Sequence, residues 1–157
     1  MNINNSQNSE DLNIFSKAKN FIKENKRFAV STVISTWGSS PRPVGSQMLI
    51  SEDNEIVGSV SGGCIEGSVI QTSLEIIKGS PPKVLNFGVS DEKAWEVGLT
   101  CGGKISVYVE RDFDLSHLLD EMIYKINSRT PFCIIKDIKE HKNHLYLNSI
   151  EKNKNQN

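Results

Sequence analysis

The chain has 157 residues, 37% hydrophobic and 24% charged, enough for one domain with its own core and ordinary for a globular protein. Its 18 Lys and Arg nearly balance 19 Asp and Glu, giving a net charge of -1; this excludes a global pull toward nucleic acid or an anionic membrane and leaves any anion site to local groups. Three cysteines, an odd number, argue against a disulfide framework, the polar start MNINNSQNSEDLN lacks a basic n-region and an apolar stretch, and no run approaches the ~20 apolar residues of a bilayer span, so the expectation is a reduced, cytoplasmic protein.

Residues 1–10 and 150–157 are polar and Asn-rich, with few apolar residues to bury, and read as a disordered lead-in and tail around a domain at 11–149. In DLNIFSKAKNFIKEN, Leu12, Phe15, Ala18 and Ile22 recur at helical spacing, with Asp11 placed to cap. RFAVSTVISTWG (27–38) is rich in β-branched and aromatic residues and predicts a strand. GSSPRPVGS (38–46) is loop, because two prolines and two glycines deny it a ladder. QMLIS and IVGSV, separated by EDNE, predict a β-hairpin.

After SGGC the apolar positions Ile65, Val69 and Ile76, with Ile70, Leu74 and Ile77 beside them, predict a heavily buried helix over 66–79 that KGSPP stops. KVLNFGV reads as a strand and SDEKAWEVGLTCGG as a long irregular piece. KISVYVE alternates strictly, with Ile105, Val107 and Val109 on one face and Ser106, Tyr108 and Glu110 on the other. DLSHLLDEMIYKIN is a helix with Asp114 in capping position, PFCIIKDI a buried-type strand with Cys133 in the core, and HLYLN an edge strand pairing with it. Strands and helices interleave, so the fold class is α/β: a single domain, a mixed β-sheet with helices packed on it, and one early hairpin.

Three glycine-rich stretches carry the candidate chemistry. In SGGCIEG, Gly62 and Gly63 can take φ > 0 and let N–H groups converge, and Gly62, Gly63, Cys64 and Ile65 would line an anion cradle at a helix start. Cys64 there is either a thiolate offered to a soft atom or a small apolar residue under a tight turn. Glu66 either caps the first turn or hydrogen-bonds an amide-bearing ligand ring. In TCGGKI, Thr100 and Cys101 precede Gly102 and Gly103, which permit close approach to a ligand, and Lys104 is either a phosphate contact or a solvated cation. In GSSPRPVG, Ser39 and Ser40 offer hydroxyls, and Arg42 between two prolines is set for an oxyanion, or the loop is a plain crossing. Trp37 and Trp95 wall a pocket for a flat ring or pack in the core. His117, His141 and His144 have no metal-ligand spacing with two cysteines, and neither a Walker lysine pattern nor GxGxxG occurs.

Together and in order, GSSPRPVGSQMLI, GSVSGGCIEGSV and GLTCGGKISVYVE resemble the N-terminal domain of the xanthine dehydrogenase accessory factor family, XdhC/CoxI, over about Phe28 to Glu110. The resemblance implies a maturation factor or chaperone, not clearly a catalyst. Its bound cargo would be the molybdenum cofactor (molybdopterin), and it would assist sulfuration or insertion into a xanthine-dehydrogenase-type molybdenum hydroxylase. Cofactor contacts would then fall on Ser39, Ser40, Arg42, Gly62, Gly63, Cys64, Glu66, Thr100, Cys101, Gly102 and Gly103, with Cys64 and Cys101 nearest the metal. The client hydroxylase is the expected partner, together with a cysteine desulfurase or a separate Rossmann-domain chain, since members typically carry a Rossmann-type domain that is not seen here; a homodimer is one candidate assembly. The other readings are a small cysteine-dependent sulfurtransferase and a partner-docking module without its own ligand.

Overall fold

A computed structural model describes residues 5–88, 103–111, 119–140 and 142–147. Its spine is β1 (Phe28–Trp37), whose first six residues are buried on both faces. Antiparallel to it lie β2 (Gln47–Ser51) on one side and β5 (Lys104–Arg111) on the other; β3 (Ile56–Gly58) and β4 (Lys83–Phe87) complete the order β3-β2-β1-β5-β4. The hairpin falls where the sequence predicts it, with Leu49 opposite Val57. Asn54 supplies the positive φ of the turn, and the Ser51 hydroxyl accepts the N–H groups of Asp53 and Glu55.

Helices cover both faces. Against one lies α2 (Glu66–Ile77), which buries Val69, Ile76 and Ile77 against Ala29, Val33, Met48, Ile50, Ile105, Val107 and Val109. The apolar face predicted for KISVYVE is therefore the one that meets α2. Against the other face, α1 (Asn5–Lys23) and α3 (Leu119–Asn127) pack Ile14, Phe15, Phe21, Leu119 and Met122 on Phe28, Val30 and Leu49. At about 1.5–3 kcal/mol for each large apolar side chain removed from water, these two clusters are the main favourable term of the fold. A two-stranded sheet, β6 (Phe132–Asp137) and β7 (Lys142–Leu147), is attached at the α1/α3 layer through Phe132 and Ile134.

Three expectations are corrected. Every strand pairing described is antiparallel, so the sheet is not mixed: helices link strands that are not nearest neighbours, and no parallel crossover results. The first helix starts at Asn5, ahead of the Asp11 cap and inside the expected lead-in, and its early turns are tied down by an ion pair from Glu10 to Arg42. Cys133 is exposed, because β6 alternates half-buried and exposed residues and only Phe132, Ile134 and Lys136 turn inward. On β5 the face opposite α2 is also buried at Tyr108 and Glu110, the latter paired with Lys136 of β6. All of the irregular piece SDEKAWEVGLTCGG (90–103) except Gly103 lies outside the described residues, as do the Asp114 cap and the tail.

Candidate functional site

Three connections meet at one end of the sheet: the loop after β1, the loop from β3 into α2, and the start of β5. They enclose a shallow open groove of about 250 Å³, solvent included, lined by residues 39–41, by Ser61 and Cys64, and by residues 103–105. Gly103 makes the convergence possible. A Cβ there would lie 2.3 Å from the Ser39 carbonyl oxygen and 2.9 Å from that of Trp37, so no side chain fits. The close backbone approach expected of this glycine is real, but its partner is the chain itself.

The loop into α2 is organised around the Glu66 carboxylate. It accepts hydrogen bonds from the amides of Ser61 and Gly63, each at 2.8 Å, from the Val60 amide at 3.3 Å, from the Ser59 hydroxyl at 2.8 Å and from the Ser61 hydroxyl. Burial would raise its pKa, but the Ser61 and Ser59 hydroxyls and the loop amides outweigh burial and hold the carboxyl down at about 2. The remaining amides also turn inward: Gly62 donates to the Ser59 hydroxyl, and Cys64 and Ile65 donate to that of Ser61. Of the four amides expected to form a cradle, only that of Gly63 reaches a carboxylate, that of Glu66, while the other three end on serine hydroxyls; Gly62 and Gly63 take φ of +77 and +116. Glu66 opens α2, but its carboxylate binds the preceding loop, and the helix N-cap, Ile65, has no side-chain cap.

Arg42 is also engaged. Its guanidinium forms a two-pronged ion pair with Glu10, at 2.7 and 3.3 Å, and donates to the Ser59 carbonyl. The prolines hold it toward α1. Ser40 lies on the groove, its hydroxyl donating to the Arg42 carbonyl, and Ser39 lies beside it. The sequence-predicted residues brought together are therefore Ser39, Ser40, Cys64 and Gly103, with Gly62 packed near Pro41. Glu66 and Arg42 serve the frame, and Thr100, Cys101 and Gly102 lie outside the described residues. Cys64 is half-buried, against the apolar cluster under α2 and open to the groove. Lys104 is the cation on the groove, with its ammonium 5.8 Å from the ring centroid of Trp37, which is 67% exposed and not a core residue. Among the described residues no group of three His, Cys, Asp or Glu side chains could hold a metal ion, and no helix is long and apolar enough to cross a membrane.

Residues 21–88 match the model of the XdhC and CoxI family. Over this stretch the chain is similar to the XdhC and CoxI family. The stretch takes in Arg42, both glycines of the α2 loop, Cys64 and Glu66, two of the three motif segments. An uncharacterized Escherichia coli protein, YqeB, is 35% identical over 98 residues, covering 62% of this chain and 18% of YqeB. The E. coli molybdenum cofactor insertion chaperone PaoD is 29% identical over 101 residues, 64% of this chain and 31% of PaoD. A probable xanthine dehydrogenase subunit of Bacillus subtilis is 26% identical over 92 residues, 57% of this chain and 28% of that protein. In three dimensions the chain superposes on the crystal structure of a xanthine dehydrogenase from Bacillus halodurans with a TM-score of 0.72 and 25% identity, over 88% of this chain and 43% of the other. The chain spans less than half the length of each of these proteins.

Proposed function

We propose that this XdhC/CoxI-like domain handles the molybdenum cofactor during maturation of a molybdenum hydroxylase, holding it for insertion. The observation that carries the reading is the groove itself, where the family's motif segments meet around the Cys64 thiol. It is supported by the family match and by the likeness to PaoD, a chaperone of that cofactor. The convergence also favours a ligand-handling role over a docking module with no ligand, whose loops would have no reason to share one cleft.

The groups on the groove fit parts of such a cargo. A thiolate suits a soft metal or its sulfur, so Cys64 is the proposed metal-side contact, with Cys101, two residues before Gly103 in the chain, as the second. Because Glu66 and the serines take up the loop amides, and the Ser40 hydroxyl donates to the Arg42 carbonyl, the negative end of the cofactor has to be met by Lys104 and by the Ser39 hydroxyl. The groove is shallow and open to solvent, so it grips one portion of the cofactor and leaves the rest for the client enzyme. The test is to mix purified protein with isolated cofactor and follow molybdenum through gel filtration. The wild type is expected to carry it, and Cys64→Ser and Cys101→Ser to lose at least tenfold; absence of molybdenum in the wild-type peak refutes the proposal.

A further inference from the structure

Beside the groove, the sheet has an open face that none of the motifs explains. β1 and β5 pair regularly from Ala29–Arg111 to Val33–Val107; then the register slips by one residue, so that Ser35 faces Ser106 and Trp37 faces Lys104. The slip decides where the indole goes. Val33 points to α2, and in an unbroken strand Trp37, four residues on, would point there too. The extra residue at the slip re-aims it to the opposite face, a known use of a bulge.

On that face burial ends after the Thr32–Tyr108 pair. Beyond it, Ser35, Trp37, Lys104 and Asn86 are exposed and Ser106 half-buried. Asn86 stands opposite Ser106 on the next strand and accepts its hydroxyl at 2.7 Å. One aromatic ring, one cation over it and a hydroxyl–amide pair thus share a flat shelf that meets the groove at Lys104. Exposing so large a ring costs hydration free energy that burial toward α2 would have recovered.

We propose that this shelf binds a flat, anionic heteroaromatic group: Trp37 stacks on the ring, Lys104 takes its charge, and Ser106 and Asn86 meet its polar edge. Only the identification of that group as the pterin of the cargo rests on the function proposed above. Trp37 is then a specificity determinant of the site, distinct from the thiol that faces the metal.

The test uses 6-carboxypterin, a pterin with an anionic group and neither sulfur nor metal, in equilibrium dialysis with the full chain, in parallel with isolated molybdenum cofactor. The wild type is expected to bind both. Trp37→Leu should weaken both by about tenfold, the scale of one ring stacked on one aromatic side chain. Trp37→Phe should stay within about threefold, and Tyr124→Leu, which removes an exposed ring on α3, should bind like wild type. If Trp37→Leu binds as well as wild type, or the wild type binds cofactor but no carboxypterin, the shelf is refuted and the maturation reading stands. Carboxypterin binding without cofactor binding refutes that reading and leaves the shelf; binding of neither refutes both.

Discussion

At the scale of single residues, Glu66 sets the terms for the site. Five donors converge on one half-buried carboxylate, so a neutral amide in its place must turn at least one N–H toward another donor. Glu66→Gln is expected to cost about 2 kcal/mol at pH 6, the scale of charge-assisted hydrogen bonds discounted for solvent screening. The pH dependence has a definite sign. The folded-state pKa, about 2, lies below the reference value of 4.5, so the carboxylate's contribution is complete above about pH 4.5 and is lost as the pH falls toward 2. Urea unfolding of both proteins at pH 6, 4 and 2.5 checks it: the difference in stability should shrink stepwise on acidification, and a constant difference rules out this role. The loop is legible in the sequence as a cradle, because glycines before a helix have few other uses. That the chain supplies its own anion is not, since serine hydroxyls five to seven residues from a carboxylate leave no periodic mark. Arg42 escapes a sequence reading for the same kind of reason: its partner Glu10 is 32 positions away in a polar stretch with no pattern to flag it.

Among the elements, those whose pattern is local are readable. The hairpin and the start of α2 at Glu66 match expectation because alternation, turn residues and the helix period all lie within a few residues of each other. β6 reads as fully buried because a continuous apolar run, FCII, is the same whether both faces or one are covered; the edge position that exposes Cys133 is a tertiary fact. The register slip in β1 is likewise invisible in its sequence, although it decides which way Trp37 points. The joint between β1 and β5 depends on Gly103. Gly103→Ala puts a methyl group 2.3 Å from a backbone oxygen that no rotamer can move, so the strand ends must separate. A loss of about 2 kcal/mol is expected, in the range of overpacking. At Gly67, where a Cβ would meet nothing within 4 Å, alanine is the matched control and should leave the melting temperature within a degree or two. Equal melting temperatures for both variants would mean that the contact relaxes freely and that Gly103 does not fix the groove.

For the molecule as a whole, the open question is how the small β6–β7 sheet bears on the site. Two strands alone are at best marginally stable, so this unit depends on what it packs against. Phe132 and Ile134 give it apolar contact, and Lys136 forms an ion pair with Glu110 in which both side chains are largely buried, 13% and 7% exposed. Removing one member of such a pair is costly, whereas replacing both by apolar side chains is often neutral. Lys136→Met is therefore expected to lose about 3 kcal/mol, and Lys136→Met with Glu110→Leu to recover most of it. Glu110 and Lys104 are six residues apart on β5, about 20 Å along the strand, and between them the strand is held by β1 and β4 on its two sides and by α2 on one face. Such a sheet should not transmit the loosening of its far end, so Lys136→Met should bind carboxypterin and cofactor like wild type at a temperature where it remains folded, while the amides of β6 exchange faster with solvent. A variant that keeps its fold but loses ligand would show instead that the attached hairpin and the groove are coupled, and the site would then have to be described as a property of both sheets.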